Sequence, residues 1–481
     1  MADSDIERLR DSIDEAWEEA RNFGLDPFPT HFELVPASIM YEFASYSLPG
    51  RFSHWTHGKA YYRQKMQYDF GLSKIYEMVV NTNPSYAFLM DMNNLLQNTF
   101  VAAHVFGHTD FFKNNAYFQH TSRRMIDKVS IHAERIAKYE FDHGKAEVER
   151  FLDAVLSIQE HVDYNLLIRE NEPDKDKQKE KTVKQLTSNY DDLWGLEKSA
   201  RKVEEERDRF PGRPPKFPEK PAKDLLQFLA NYSPHLTPWQ RDIVEIVRTE
   251  MLYFVPQMQT KIMNEGWASL WHSRIMRRLA ERGVISDSEV IEFAQLHSGV
   301  LSPSRTSLNP YYLGFKMLED IEKRWDNPTG EERERFGRKP GMGRQKIFEV
   351  RELDNDVSFL RNYLTEDLVK DLDLYIYRKE GDEWVIVEKN WEKVRDNIVA
   401  NLNNFGNPYL VVDNGDYRGN RELYLKHLFE GQELDLVYAE KTLQHVYLLW
   451  GRPIHLETVY EGKRILLSYD GERNSKSTLE K

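Results

Sequence analysis

Residues 85–115 read SYAFLMDMNNLLQNTFVAAHVFGHTDFFKNN, and this stretch decides the fold class. It is apolar on several sides at once, which excludes a surface position, and it is far too long for one strand. The pattern predicts a buried helix, broken once, opened by Asn83-Pro84. A helix apolar all round must be surrounded by other elements, and the neighbouring sequence supplies helices. Ile6, Leu9, Ile13 and Trp17 recur at helical spacing, and Gly24, Pro27 and Pro29 end that run. Residues 25–55 carry Pro27, Pro29, Pro36 and Pro49 and read as a long loop with one short helix inside. Helical patterns resume at Lys59 and recur over 123–140 and 146–160.

Residues 171–222 change character, from PDKDKQKEK to RFPGRPPKFPEKPAK, with five prolines between Pro211 and Pro221. Charge without apolar periodicity, followed by clustered proline, reads as an extended linker or insertion. Helix signals then return: Thr237-Pro238 as a cap with proline at the first position, Pro256 as a break, and a helix over 257–282 stopped by Gly283. Ser286 with Glu289 makes a capping box for a helix over 290–297, and Asn309-Pro310 opens another, to Trp325. Further on the period changes. Runs at 374–378 and 384–388 flank Glu380-Gly381-Asp382 as a hairpin. A helix at 394–403, a strand at 409–412, two helices between 421 and 450, and a hairpin over 454–469 follow. The expected architecture is a mainly α helical N-terminal body followed by a smaller α+β C-terminal domain. Its parts are a first helical half (1–170), the linker (171–222), a second helical half (223–330), an α+β domain (340–472) and a disordered tail (473–481).

Composition narrows the chemistry. The 481 residues carry 66 Lys and Arg against 79 Asp and Glu, a net charge of −13, which argues against a general nucleic-acid binder. No apolar run suits a transmembrane helix, and MADSDIERLRDSIDEA lacks the basic start and apolar core of a secretory signal, so the expected location is cytoplasmic. With no cysteine, thiolate zinc sites, iron–sulfur clusters and cysteine nucleophiles are excluded, and any metal must be held by histidine and carboxylate. The Gly337, Gly341 and Gly343 loop is not followed by Gly-Lys-Ser/Thr and is no P-loop, and no Gly-x-Ser-x-Gly elbow occurs.

Nine of the 15 histidines fall between His31 and His161, a density that favours a ligand set. His104 and His108 stand at i and i+4 on the buried helix, so both imidazoles reach one point. The alternative is two core histidines, each bonded to a neighbour. Gly107 costs helix stability and marks a close approach. In the H-E-x-x-H pattern a glutamate base follows the first histidine, whereas here that position is Val105. A second feature is Asn264-Glu265-Gly-Trp-Ala-Ser-Leu-Trp-His272, which puts Glu265 and His272 two turns apart on one helical face. A carboxylate from a second helix is a common third ligand for a two-histidine site. The expected metal ligands are therefore His104, His108 and Glu265, with His132, Asp110 and His161 in reserve. Glu134 or His272 would be the general base. The metal would be one divalent ion, zinc or iron/manganese, and no organic cofactor is indicated.

The words PGRFSHW (49–55), AHVFGHTDFFKNN (103–115), QEHVDYN (159–165), PWQRDIVEIVRTEMLYFVPQMQTKIMNEGWASLWH (238–272) and KIFEVRELDNDVSFLRNYLT (346–365) run in order through nearly the whole chain. Together they resemble the stage V sporulation protein R (SpoVR) family. The resemblance implies a bacterial or archaeal cytoplasmic protein, linked through the founding member to spore cortex (peptidoglycan) formation, with relatives in organisms that never sporulate. It brings no catalytic residue with it.

Three functions compete at this point. One is a metal-dependent, hydrolase-like protein on the His/Glu set, whose cation would bring the pKa of a water near neutrality. Another is a non-catalytic assembly or regulatory protein that binds protein partners through the C-terminal domain. The third is a di-metal oxidase, which needs at least four His or carboxylate groups between helices.

Overall fold

In the computed structural model the described residues are 3–46, 49–50, 52–69, 77–165, 216–303, 307–381 and 383–479. The elements, numbered along the chain, begin with α1 (Asp3–Asn22), β1 (Thr30–Val35), α2 (Ala37–Ser45), α3 (Trp55–Asp69), β2 (Glu77–Val80) and β3 (Ser85–Met90). Helices α4 (Leu95–Asn114), α5 (Met125–His143), α6 (Lys145–Leu156), α7 (Leu225–Tyr232), α8 (Pro238–Gln259), α9 (Lys261–Glu281), α10 (Asp287–Val300) and α11 (Pro310–Asp326) follow. Next come α12 (Gly330–Phe336), α13 (Gly343–Leu353), α14 (Asp356–Tyr363), α15 (Glu366–Asp371), β4 (Ile376–Glu380), β5 (Glu383–Glu388) and α16 (Trp391–Leu402). The chain ends with β6 (Leu410–Tyr417), β7 (Glu422–His427), α17 (Leu436–Trp450), β8 (Ile454–Tyr460), β9 (Lys463–Tyr469) and β10 (Asn474–Thr478). This is a mainly helical N-terminal body followed by an α+β C-terminal region. No helix among the described residues is long and apolar enough to cross a membrane.

By their contacts the residues form two units, 1–142 with 253–407 and 143–252 with 408–481. The first holds the centre of interest. α4 is buried continuously from Asn98 to Phe112, and its start is closed by a capping box between Asn94 and Gln97. α9 lies against it, and both Asp356 carboxylate oxygens accept from the first turn of α9, at Ile262 N (2.8 Å) and Met263 N (2.9 Å). Glycine lets these helices touch along their backbones. A Cβ on Gly107 would stand 2.6 Å from Ala268 Cα, and one on Gly266 would stand 2.3 Å from the carbonyl carbon of Gly314 on α11. Around this contact Phe106, Phe111, Trp267, Trp271, Met317 and Phe359 join one apolar core. A three-stranded sheet in the order β1-β3-β2 flanks it, with β1 parallel and β2 antiparallel to β3.

The second unit is a five-stranded sheet in the order β10-β9-β8-β7-β6, antiparallel except for β7 with β8. Phe228 of α7 stacks on Trp450 of α17 at 5.8 Å, and Ser233 donates to the carbonyl of Leu449 at 2.8 Å.

Several expectations need correction. The first part of the quoted stretch, 85–90, is the strand β3, because a short apolar run reads equally as strand or buried helix. The proline-rich 25–55 segment holds the expected short helix, α2, but also the strand β1, and α8 continues through Pro256 to Gln259. Between 421 and 450 there is one helix and a strand, β7, whose alternately buried Leu423, Leu425 and His427 carry a period of two. The tail forms β10 on the edge of the sheet. Of the predicted linker, 171–215 lies outside the described residues. Its end is built into the second unit, where Ala222 and Val412 exchange backbone hydrogen bonds of 3.0 and 2.7 Å. The linear division also gives way to one by contact: residues 143–165 and 223–252 group with 408–481, and 340–407 group with the helical body. The apolar faces explain the latter shift, since Ile347, Val350, Phe359, Leu360, Val394 and Val399 belong to the core around α4 and α9.

Candidate metal centre

α4 sets His104 and His108 one turn apart with ring centroids 4.5 Å from each other and planes at 88°. Each ring is anchored through Nδ1. His108 Nδ1 donates to Asn264 Oδ1 at 3.0 Å, since an amide oxygen only accepts. His104 Nδ1 meets His272 Nδ1 at 2.8 Å, and His272 Nε2 meets His297 Nδ1 at 2.8 Å. Both Nε2 atoms are thereby left facing Glu265, whose Oε2 is 3.6 Å from that of His104 and 3.5 Å from that of His108. Glu77 Oε1, at the start of β2, is 4.0 Å from His104 Nε2. Glu77, His104 and His108 offer ligand atoms that all lie within 4.8 Å of one another.

These spacings are too long for N–H···O hydrogen bonds. His104 Nε2 and Glu265 Oε2 are in fact buried without a hydrogen-bond partner, a costly condition for polar atoms. Two donors each about 2.1 Å from a tetrahedral cation stand about 3.4 Å apart, so the residues present fit a divalent cation.

The electrostatics agree with that fit. Burial, then the neighbouring His104, brings His108 down to about 4 against the opposing pull of Glu265. Burial pushes Glu265 up, but His108 and His104 outweigh it and hold the carboxyl below its ordinary value. Neutral imidazole and ionised carboxylate are the forms that bind metal. Burial and the nearby Glu265 carry Glu77 upward, opposed by His104. Burial, Glu265 and Glu77 push the phenol of Tyr311 up, so it keeps its proton; its ring stacks on His104 at 6.0 Å. His272 is held well below its usual range by burial and by His104 and His297.

Of the residues expected from sequence, His104, His108 and Glu265 come together. His272, expected as a base, meets the Nδ1 side of the His104 ring, opposite the Nε2 that faces Glu265. Asp110 is buried but fully engaged, accepting from Trp267 Nε1 (2.8 Å) and Asp26 N (2.7 Å) with Arg351 at 3.7 Å. His132 is buried on α5 outside the group, Glu134 is exposed on the same helix, and His161 belongs to the second unit. Glu77, Asn264, His297 and Tyr311 were not anticipated. Asn264 sits beside Glu265 and could have been suspected from that adjacency. Glu77 carries no spacing signal, because only strand pairing brings it to α4.

A family model described as "SpoVR like protein" matches residues 3–407, and one described as "SpoVR-like C-terminal domain" matches 408–461. Their junction coincides with the last boundary between the two units. An Escherichia coli (strain K12) protein named "Uncharacterized protein YcgB" is 30% identical over 471 residues, covering 93% of this chain and 91% of its own. No solved structure matches the chain.

Proposed function

The chain belongs to the SpoVR family, and from that premise we propose that its helical body binds one divalent cation through His104, His108 and Glu265 and uses it in hydrolysis. The observation that carries this reading is the pair of buried, unpartnered atoms, His104 Nε2 and Glu265 Oε2, set 3.6 Å apart with His108 Nε2 3.5 Å from the same oxygen. A cation bound there supplies a Lewis acid and acidifies a bound water. The chain's own groups provide the rest. Asn264 and His272 hold the two imidazoles by their far nitrogens. Glu77, its carboxyl raised by burial, takes the proton of the attacking water in place of the glutamate that Val105 displaces. Tyr311, kept protonated, donates a hydrogen bond to the oxygen that gains charge. Zinc suits the spacing, and iron(II) or manganese(II) share the donor set. The reading makes no use of a spore, and a place in cortex assembly is the form it would take in a spore former.

Elemental analysis of the purified chain beside His104→Ala/His108→Ala tests it. About one divalent ion per chain, lost in the folded variant, is expected. A wild-type chain that stays metal-free after zinc, iron(II) and manganese(II) have been offered overturns it.

A further inference from the structure

On the helical body a pocket of about 520 Å³ is walled by α1, α9 and the first turn of α13. Four guanidinium groups line it, from Arg274, Arg277, Arg278 and Arg344, against the two carboxylates of Glu19 and Glu281. On a chain of net charge −13 such a concentration of arginine asks for a reason.

Part of the reason is structural. Arg274 is tied to Glu322 through two hydrogen bonds, and Arg278 pairs with Glu281 at 2.9 Å. Glu19 is taken by Arg282 at 2.5 Å. Two arginines are left over. Arg344 has no carboxylate partner among the described residues; it donates to the backbone carbonyl of Phe23, and its guanidinium lies 5.8 Å from the Phe23 ring and 5.7 Å from the Trp271 ring. Arg277 is exposed and has neither ion pair nor hydrogen bond among the described residues. The aromatic rings hold one guanidinium plane in place beforehand, which reduces the ordering that binding must impose. The other guanidinium is free to swing onto a ligand. Two surplus positive charges with planar, forked donors match a dianionic oxyanion, and guanidinium binds phosphate oxygens in pairs.

We propose that this pocket, through Arg277 and Arg344, binds a phosphate group, either as inorganic phosphate or as the monoester of a small molecule. The site does not depend on the metal centre.

The test is titration of the full-length chain with inorganic phosphate and with glycerol 3-phosphate, followed by calorimetry at low salt, for wild type, Arg277→Gln, Arg277→Gln/Arg344→Gln and, as a charge control, Lys379→Gln. Wild type and the control should bind one equivalent. Arg277→Gln should bind about tenfold more weakly, as expected for one lost charge-assisted contact, and the double variant weaker still, with metal content unchanged. Equal affinity for both probes identifies free phosphate as the ligand, and tighter binding of the ester identifies the small molecule. Because Arg277 is exposed and unpaired, its single variant leaves the fold intact even if loss of Arg344 does not. Failure of the wild-type chain to bind either probe at millimolar concentration, or unchanged affinity in folded Arg277→Gln, overturns the proposal.

Discussion

Gly107→Ala isolates the contact that assembles the centre. The added Cβ would stand 2.6 Å from Ala268 Cα and 3.1 Å from its Cβ, whereas carbon atoms rest about 3.5–4.0 Å apart. α4 and α9 must therefore separate locally by about 1 Å. Alanine in place of glycine gains about 1 kcal/mol of helix propensity, while overpacking costs roughly 1–3 kcal/mol, so the metal-free chain should lose between about 0 and 2 kcal/mol. The site should suffer more. His104 and His108 ride on α4 and Glu265 on α9, and metal–ligand distances tolerate only about 0.2 Å. Affinity measured by chelator competition should fall at least about tenfold, which also removes about 1.4 kcal/mol from the stabilisation that saturating metal confers. Gly299→Ala is the control, since it lies in α10 with nothing within 4 Å of its Cβ; it should gain stability and keep affinity. If Gly107→Ala is itself stabilised and binds metal as wild type does, the close approach of α4 and α9 does not define the site, and the reasoning fails.

Two further outcomes follow from the polar network. His272→Leu removes the partner of His104 Nδ1, so metal affinity should drop about 10–100-fold with stoichiometry preserved at high metal, as measured by competition titration; unchanged affinity would mean that the histidine chain does not orient the ligand. His161, in the second unit, is brought down to about 3 by burial, then by Lys223 and His427. Its folded-state pKa lies below the unfolded value, so the unfolded chain binds the proton first and stability is lost as pH falls below about 6.5. Between pH 7 and 5 this group alone should cost about 2 kcal/mol. Denaturant unfolding of His161→Leu at the two pH values should show a correspondingly smaller pH dependence than wild type, and an identical pH dependence would refute the assignment.

What was legible in the sequence was what local chemistry controls. The Ser286 and Asn309 starts of α10 and α11 are written in the cap residues themselves, whereas α4 starts at its Asn94 cap and not at Asn83-Pro84 as the sequence reading has it. The i, i+4 histidines and Glu265 could be found because each lies on a helix whose face the spacing defines. The strands were harder. SYAFLM is apolar enough for either state, and ELYLKH is made of residues that helices tolerate; only their pairing partners, β1 and β2 for the first and β6 and β8 for the second, decide. The unforeseen site residues share this origin. Tyr311 and His297 stand on helices that were recognised, but which side chains meet His104 and His272 depends on helix crossings that no local pattern records.

The displaced glutamate makes the same point about mechanism. In H-E-x-x-H one helix supplies both ligands and base, so the geometry among them is local. Here Val105 is fully buried in the apolar core, and a carboxylate at that position would be an uncompensated charge. The proposed base has moved to β2, where Glu77 pairs with Leu89 in the antiparallel register of β2 on β3. A slip of that register by one residue would turn Glu77 to the opposite face of the sheet, leaving the ligands of α4 and α9 in place but the proton acceptor absent. On the proposed reading metal binding and turnover are separable: Glu77→Gln should hold the cation nearly as wild type does, by elemental analysis, while losing the proton transfer that hydrolysis requires.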